Sequence, residues 1–271
     1  MRSGAAAHGA KKRFGQHFLH DPQVIGRILR AINPQPDDTL VEIGPGLGAL
    51  TVPLLQRVQR LHVVEIDRDV VPHLRAACGD APGLELHLAD ALKFDFGSLA
   101  APGRPLRLVG NLPYNISTPL LFRLLGYSGL VRDMHFMLQK EVVDRITAAP
   151  GSGDYGRLTV TLAARAAAEM LFEVGPGAFR PPPRVVSAVV RITPRPAPFA
   201  LRDAAVYDRV VTAAFGQRRK TLANALRGLL PAAEIAAAGI DPGARAETLA
   251  PEQFARLAGR LPSGPGELVR E

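Results

Sequence analysis

Short apolar runs recur along the first two thirds of the chain, separated by segments with helical spacing or turn residues. Short apolar runs bounded by turn signals are typical of buried strands, and their alternation with helices is typical of an α/β fold. The pattern predicts a mostly parallel sheet with one antiparallel member. The predicted strands are 39–43, 61–65, 84–88, 106–109, 134–138, 170–174 and 185–192.

The segments between and after these strands predict helices and a second domain. Alanine-rich and leucine-rich stretches from residue 202 onward are broken by prolines and glycines, which indicates four or five short helices. Because the proline-rich segment 194–198 precedes them, we predict domains at 1–198 and 199–271. In the first domain, helical periodicity occupies 49–60, 120–125 and 141–148, and the composition of 150–156 predicts a mobile loop.

A glycine-rich turn follows the first predicted sheet strand, in the run Gly44-Pro45-Gly46-Leu47-Gly48. Glycines let the backbone approach a ligand closely, and a helix that follows offers unpaired N–H groups. The spacing G-x-G-x-G differs from the dinucleotide fingerprint. With Glu42 just before it, this turn favours a nucleoside carrying a cationic sulfonium over a pyrophosphate, although the motif alone is also compatible with a plain turn.

Acidic and amide side chains follow the carboxyl ends of the next strands. Glu65 lies 21 residues after Gly44, where an acid can bind both hydroxyls of a ribose. Asp67 and Asp69 are expected to sit at a solvated helix N-terminus. Ligands of open parallel sheets bind at the carboxyl ends of the strands, so one pocket is predicted. Its expected walls are Gly44, Glu65, Asp90 and Asn111.

The segment Asn111-Leu112-Pro113-Tyr114 combines groups suited to a planar amine. The Asn111 side chain and the Leu112 carbonyl can each accept a hydrogen bond from an amine. Pro113 disfavours helix at Leu112 and so holds that carbonyl outward, while Tyr114 offers a ring for base stacking. The segment predicts a site for amine methylation; the alternative is an ordinary strand-to-loop corner with a buried tyrosine.

Together these motifs resemble the ribosomal RNA adenine N6,N6-dimethyltransferases, the kasugamycin-resistance family that uses S-adenosylmethionine. The resemblance extends over nearly the whole chain and is collinear. It implies a Rossmann-like class I methyltransferase sheet of seven strands with a small all-helical C-terminal domain. The matching segments are 12–19, 42–48, 110–115, 137–142, 179–185 and 215–220.

The resemblance also implies an activity and a partner. The activity is transfer of methyl groups from S-adenosylmethionine to the N6 amines of two adjacent adenosines in a 16S rRNA hairpin loop, with a role in small-subunit biogenesis. The partner is 16S rRNA in the immature 30S subunit, and the protein is expected to be monomeric. Transfer is expected to be an in-line displacement without a histidine or aspartate catalyst. The target base would be sandwiched between Tyr114 and Phe179, and plain core packing is the alternative for Phe179.

The resemblance assigns cofactor contacts residue by residue. Asn111 would serve both the cofactor and the target amine. His17 departs from many relatives, which have asparagine there, so its role at the edge of the cofactor is less certain. The remaining assignments place Gly44 and Gly46 against the cofactor, Glu65 on its ribose, Asp90 on its adenine amine, and His17 and Leu19 over it.

The chain is basic, and its charge is unevenly distributed. The formal net charge is +8, of which residues 1–30 carry +5 and residues 175–199 carry +4, whereas residues 31–174 carry −3. Basic clusters beside a crevice can neutralise a phosphate backbone. For 175–199, an arginine-rich solvated surface is the alternative. The residues expected to bind RNA are Lys11, Lys12, Arg13, Arg218, Arg219 and Lys220.

Several classes of protein are disfavoured. A single cysteine, Cys78, cannot form an intramolecular disulfide, and we expect no metal because no common ligand spacing occurs along the chain. The N-terminus lacks the apolar core of a signal peptide, and no apolar run is long enough to span a membrane. The sequence therefore predicts a cytoplasmic protein that does not bind membranes.

Two other functions remain open on sequence. One is a related enzyme, either a large-subunit rRNA methyltransferase of macrolide resistance or a DNA adenine methyltransferase. The segments at 137–142 and 218–220 favour the small-subunit family over both. The other is a noncatalytic ribosome-assembly or transcription factor, which the intact Gly44, Glu65, Asp90 and Asn111 argue against.

Overall fold

The computed structural model describes residues 16–79, 81–217 and 219–262, which fall into two compact units. The first unit consists of the residues up to Val143 together with Ala168–Pro194. The second consists of Asp144–Ala167 and the residues from Arg195 onward. The predicted boundary at 198 is close to the one at Pro194, but the segment Asp144–Ala167 was not expected in the second unit.

A seven-stranded, mostly parallel sheet forms the first unit, as predicted. Its strand order is β4-β3-β2-β5-β6-β9-β7. Strands β2 to β6 pair in parallel, and β9 pairs antiparallel with β6. The strands are β2 Thr39–Ile43, β3 Arg60–Glu65, β4 Leu84–Leu88, β5 Leu106–Asn111, β6 Val131–Gln139, β7 Ala166–Val174 and β9 Ser187–Pro194.

A second, two-stranded sheet was not predicted. It joins β1, Phe18–Leu19, to β8, Phe179–Arg180, in antiparallel register with Leu19 opposite Phe179. A strand of two residues is too short to show the alternation of apolar and polar residues that identifies strands in a sequence. Such strands are recognised only from their pairing in the structure. The pairing brings the beginning of the described chain to the sheet region near residue 180.

The helices are mostly short. Helix α2 ends at Leu55 rather than at the predicted residue 60, because the chain must already turn into β3 at Arg60. Helix α1 begins after Asp21, whose side chain accepts hydrogen bonds from the backbone amides of Gln23 and Val24. The helices are α1 Pro22–Ile32, α2 Thr51–Leu55, α3 Val71–Cys78, α4 Ser117–Leu125, α5 Lys140–Thr147, α6 Arg157–Ala163, α7 Ala204–Gly216, α8 Leu222–Ala225, α9 Ala232–Ala237 and α10 Pro251–Ala258.

The centre of the sheet is tightly packed. All five residues of β2 are buried, as expected for a strand paired on both sides and covered on both faces. A Cβ atom at Gly110 of β5 would lie 2.4 Å from the carbonyl oxygen of Ile43 in β2. Glycine is therefore required immediately before Asn111, and it allows the two strand ends to approach each other closely.

A buried ionic network lies at the opposite, amino-terminal end of these strands. The guanidinium of Arg107 is 4% exposed; it contacts Asp38 at 2.6 Å and Asp133 at 3.0 Å and also donates to the Ile32 carbonyl. Burial raises the pKa of Asp133, but hydrogen bonds from His135 and Arg107 and the Arg107 charge outweigh burial and bring it to about 2. The network ties α1, β5 and β6 together at their ends.

The second unit has its own apolar core, built by α6 and the four C-terminal helices, which agrees with the predicted number of helices. Two buried tyrosines satisfy their hydroxyls on backbone carbonyls: Tyr155 donates to Leu249 at 2.7 Å and Tyr207 to Val160 at 3.0 Å. The segment 150–156, expected to be a mobile loop, contains Tyr155 and is anchored by it.

Across the described part of the chain, no helix is both long and apolar enough to cross a membrane.

Candidate functional site

The glycine-rich turn forms a cradle between β2 and the helix that follows. Gly44, Gly46 and Gly48 all have positive φ, at 68°, 54° and 90°, which side chains other than glycine rarely adopt. A Cβ atom at Gly46 would lie 3.0 Å from the Phe18 ring. The turn thus presents bare backbone to the space at the strand ends, as the motif predicts.

Glu65 ends β3 beside this cradle, and its carboxylate is held in place by backbone donors. Its Oε1 accepts from the amides of Ile66 at 2.9 Å and Asp67 at 2.8 Å. Burial raises the pKa of Glu65, and these hydrogen bonds, with one from Gly46, oppose the rise. The side chain is only 7% exposed, so it is fixed before any ligand arrives.

Asp67 differs from the expectation of a solvated helix N-terminus. It is 2% exposed, and its Oδ2 accepts a hydrogen bond from the Gln16 side chain at 2.9 Å. Asp69, by contrast, is exposed as expected. The prediction for Asp67 was wrong because a residue from far along the sequence covers it, which no local pattern reveals.

Glu42 is a second buried acid of the site, and sequence reasoning did not include it among the cofactor residues. It is 2% exposed, and Thr51 donates a hydrogen bond to its Oε2 at 2.7 Å. The pKa of Glu42 is raised to about 7: burial raises it most, the Thr51 hydrogen bond lowers it, and the nearby Glu65 adds to the rise. The available signal was its position before Gly44, at the end of a buried strand.

One cavity brings the predicted strand-end residues together. Asp90 keeps its place because its Oδ1 accepts from the Leu92 amide at 2.9 Å. Among the described residues that line the cavity there are three carboxylates and no lysine or arginine. A cavity with this lining attracts cations and repels phosphates. Its walls include Gly44, Gly46, Glu42, Glu65, Asp90, Asn111, His17 and Leu19.

Residues Gln16–Leu19, here called the strap, close one side of the cavity. Gln16 is bound to Asp67 at 2.9 Å, and His17 Nδ1 donates to the Pro181 carbonyl at 2.8 Å. Phe18 and Leu19 form β1, which pairs with β8. The strap is therefore tied to the loop after β3 and to β8, and its residues His17 and Leu19 line the cavity.

The Asn111 side chain has a defined orientation at the end of β5. Its Nδ2 donates to the His17 carbonyl of the strap at 3.0 Å. Because a carbonyl can only accept, the amide nitrogen must face the strap, and Oδ1 points away as an acceptor. Within the described residues, neither Oδ1 nor the adjacent Leu112 carbonyl receives a hydrogen bond. Two acceptors thus stand side by side at the cavity.

Tyr114 and Phe179 are not placed alike. The Tyr114 ring is half-buried and stacks on the His17 ring with centroids 5.6 Å apart, while its hydroxyl bonds to Ser187 at 2.7 Å. Burial raises the pKa of Tyr114, and the Ser187 hydrogen bond lowers it. Phe179 is 2% exposed within the apolar core, and neither Phe179 nor Tyr114 belongs to the described cavity wall. The burial of Phe179 leaves its ring without an exposed face for a base.

The residues expected to bind RNA are only partly described. Arg219 and Lys220 are exposed in the turn after α7. Lys11, Lys12, Arg13 and Arg218 lie outside the described residues.

Residues 7–262 match the protein family described as Ribosomal RNA adenine dimethylase. The match spans both units and every motif of the site described above. The chain belongs to the ribosomal RNA adenine dimethylase family. The family resemblance inferred from the motifs is thereby confirmed.

Curated relatives of this ribosomal RNA adenine dimethylase chain are similar over nearly their whole length. A protein of Pseudomonas putida named Ribosomal RNA small subunit methyltransferase A is 56% identical over 94% of the chain and 96% of its own length. Proteins of the same name from Chromobacterium violaceum and Nitrosococcus oceani are 56% and 57% identical, over 94% and 92% of the chain. The matched regions cover 96% and 95% of the lengths of these two proteins.

Two solved structures share the fold of the dimethylase chain. The 23S rRNA methyltransferase ErmE superimposes with a TM-score of 0.70 at 29% identity, over 90% of this chain and 99% of that one. A dimethyladenosine transferase from Plasmodium falciparum gives a TM-score of 0.75 at 24% identity, over 89% of this chain and 96% of that one. These similarities confirm the predicted Rossmann-like methyltransferase fold.

Proposed function

We propose that this chain is an S-adenosylmethionine-dependent rRNA methyltransferase that dimethylates the N6 amines of two adjacent adenosines in a hairpin loop of 16S rRNA, on the immature 30S subunit. Family membership and the small-subunit name shared by relatives of 56–57% identity support the reaction class and the substrate. The observation that carries the proposal is the pair of unsatisfied acceptors, Asn111 Oδ1 and the Leu112 carbonyl, beside an acid-lined cavity.

The cavity fits S-adenosylmethionine through its charge. The cofactor carries a sulfonium and an ammonium group, and Glu42, Glu65 and Asp90 provide carboxylates without a competing lysine or arginine in the wall. A nearby positive charge lowers the pKa of buried carboxyls, so a cationic ligand offsets the burial that raises the pKa of Glu42 to about 7. The same three acids would repel the negative charge of a pyrophosphate.

The positions of individual groups support the assignment of each to a part of the cofactor. Glu65 has one carboxylate oxygen occupied by backbone amides, which leaves the other for the ribose hydroxyls. Asp90 likewise uses Oδ1 for Leu92 and keeps Oδ2 for an adenine amine. Gly44 and Gly46 expose backbone, and the strap residues His17 and Leu19 cover the ligand. Asn111 contacts both the edge of the cofactor and the target amine.

When bound, S-adenosylmethionine would supply an electrophilic methyl group and leave as a neutral thioether. In the proposed in-line displacement the target nitrogen takes this methyl group and then loses its proton to water. Asn111 Oδ1 and the Leu112 carbonyl accept the two N–H groups of the target amine and draw its nitrogen toward a tetrahedral shape. Pro113 and the buried Leu112 side chain hold that carbonyl in place. These residues act by positioning the amine, which supplies most of the rate without a general base.

The target adenosine must leave its stack to reach the acceptors, which unpaired loop nucleotides allow at low cost. Tyr114 offers the face of its ring that His17 does not cover. A contact between the base and Phe179, which the family resemblance implies, would require the Phe179 ring to leave its buried position.

The assignment of Glu65 to the ribose gives a binding prediction. Glu65→Gln keeps the shape of the side chain but removes its charge and one acceptor, so we expect about a tenfold or larger loss of S-adenosylmethionine affinity, from hydrogen bonds worth about 1.5–3 kcal/mol. Calorimetric titration of the folded protein measures it. The control is Asp69→Asn, which neutralises an exposed acid of the same loop and should leave affinity unchanged. Equal affinities for wild type and Glu65→Gln would refute the role of Glu65.

The basic residues after α7 give an RNA-binding prediction. Replacing Arg218, Arg219 and Lys220 together with alanine should weaken binding to the substrate rRNA. It should also flatten the slope of log affinity against log salt by up to about 0.7–0.9 for each lost phosphate contact. Cofactor affinity should be unchanged, which serves as the control for folding. A salt slope identical to that of the wild type would mean that these side chains only solvate the surface.

The choice between ribosomal subunits is testable with the same protein. Relatives named for the small subunit are 56–57% identical, whereas the 23S enzyme is 29% identical, and this difference favours a 16S substrate. We expect N6,N6-dimethyladenosine to appear in immature 30S subunits incubated with the protein and S-adenosylmethionine, as detected by nucleoside mass spectrometry. Methylation of 23S rRNA alone would overturn the proposed substrate.

A further inference from the structure

Three side chains with metal-binding chemistry lie together on β3 and β4, outside the cavity wall. In the parallel pairing of these strands His62 is opposite Glu85, and His87 follows Glu85 by two residues. Residues two apart on a strand point to the same face of the sheet. His62 Nδ1 lies 3.2 Å from His87 Nε2 and 3.3 Å from Glu85 Oε2, and all three ligand atoms lie within 4.8 Å of one another.

The two separations from His62 are close to those of ligands around a tetrahedral metal ion. With metal–nitrogen bonds of about 2.0–2.1 Å, two ligand atoms of a tetrahedral zinc site are about 3.3–3.4 Å apart. The two measured distances therefore need only a small adjustment to accommodate an ion. His62 is 4% exposed on a strand paired on both sides, so at least one ligand is held rigidly by the sheet.

We propose that His62, Glu85 and His87 form a Zn²⁺ site, with a fourth position filled by water. Two imidazole nitrogens and a carboxylate are a known zinc ligand set, whereas Mg²⁺ and Ca²⁺ prefer oxygen ligands alone. The Glu85 side chain is 47% exposed, which leaves the cluster open to solvent. The site was not expected from sequence because its ligands come from two strands and follow no local spacing.

Arg60 is the competing partner in the cluster. Its Nε pairs with Glu85 at 3.3 Å, but it uses Oε1, whereas the oxygen that faces His62 is Oε2. Arg60 is 65% exposed, so its ion pair is weak and its side chain can move away from a bound cation. The carboxylate can therefore bind the metal without losing a buried partner.

The proposed ion would fasten an edge strand. β4 is at the edge of the seven-stranded sheet and contributes two ligands, while β3 contributes one. The chain continues from β4 into Asp90 of the cavity, and the His87 ring packs on Phe94, 5.1 Å away. Phe94 in turn donates its amide to the Asp90 carbonyl at 2.9 Å. The role of the ion is structural: it would stabilise the strand that leads into Asp90.

The test is a titration of the full, chelator-treated chain with Co²⁺, whose visible absorption reports tetrahedral nitrogen and oxygen ligands. We expect one equivalent to bind with a tetrahedral spectrum, Zn²⁺ to displace it, and the unfolding temperature to rise with Zn²⁺ concentration. Failure to observe a tetrahedral spectrum at one equivalent would overturn the proposal. So would a rise in unfolding temperature that Mg²⁺ produces equally.

Variants identify the ligands without disturbing the buried His62. His87→Gln and Glu85→Gln change a half-buried and an exposed side chain, and each should weaken Co²⁺ binding by about tenfold or more. The matched control is His73→Gln, which removes another half-buried histidine, on α3, and should keep wild-type affinity. If His87→Gln binds Co²⁺ as tightly as the wild type, the ion occupies another site and the proposal is wrong.

Discussion

Asn111→Ala should lower the rate of methyl transfer by about 10²–10³-fold while the protein stays folded and binds RNA. Removing one hydrogen-bond acceptor or donor from a developing charge has an effect of this size, known from oxyanion sites. The loss is expected in the chemical step because, in the proposed mechanism, Oδ1 accepts a hydrogen bond from the amine, whereas the strap uses only Nδ2. Single-turnover methylation of immature 30S subunits at saturating S-adenosylmethionine measures it.

The folding of Asn111→Ala is checked by its unfolding temperature, because the variant also loses the hydrogen bond to His17. That bond joins partly exposed groups and contributes about 1 kcal/mol, too little to unfold the chain. A wild-type single-turnover rate in a folded Asn111→Ala protein would place the reacting amine elsewhere and leave this corner a structural turn.

Tyr114 separates ring stacking from hydroxyl chemistry at the same corner. Tyr114→Ala should lose about 1–3 kcal/mol of base stacking. Tyr114→Phe keeps the ring and loses only the hydrogen bond to Ser187, so it should retain most of the single-turnover rate. The same assay compares the two variants. Equal inactivity of both would assign the role to the hydroxyl and contradict the stacking mechanism.

Arg107→Met should lower the free energy of unfolding by up to about 3–5 kcal/mol, since it removes the buried cation between Asp38 and Asp133 and leaves them only the half-exposed Arg132. Urea denaturation at neutral pH measures the change. The control is Arg104→Met, which removes an exposed arginine three residues earlier and should alter stability by less than about 0.5 kcal/mol. Equal stability of the two variants would show that the network contributes little.

The pH dependence of this effect has a defined sign. The pKa of Asp133 is lowered from 3.8 to about 2 in the folded chain, so its ionised form stabilises the fold above about pH 4. That stabilisation is lost as pH falls toward 2. The stability difference between wild type and Arg107→Met should therefore shrink as pH is lowered from 5 to about 3. A difference that grows on acidification would contradict the assigned pairing.

The sequence predicted those parts of the fold that local patterns encode. Strands β2 and β4 match their predicted bounds, and all seven sheet strands were found. β2 is a mostly apolar run, whereas β4 alternates leucine with Glu85 and His87. The glycine turn and the strand-end acids meet in one cavity, as the carboxyl-end rule for parallel sheets requires.

Long-range contacts account for what the sequence left out. The two-residue pairing of β1 with β8, the burial of Asp67 under Gln16 and the packing of Tyr155 in the second unit each depend on residues far apart in the chain. The orientation of the Asn111 side-chain amide also depends on a distant residue, because its Nδ2 donates to the His17 carbonyl. The periodicity of a single sequence does not show which residues far apart in the chain are in contact.

The pairing of β1 with β8 has a consequence for the order in which the site is completed during synthesis. The strap is made first, but its β8 partner is made only after six of the seven sheet strands. β9 follows and takes its place between β6 and β7, which are both already made. A nascent chain that has not passed Arg180 therefore has the glycine cradle and Asn111 but no anchor for the strap at β8. Until then the strap can be held by contacts such as those of Gln16 with Asp67 and of His17 with Asn111 but not by β8, so this wall of the cavity is completed late in synthesis.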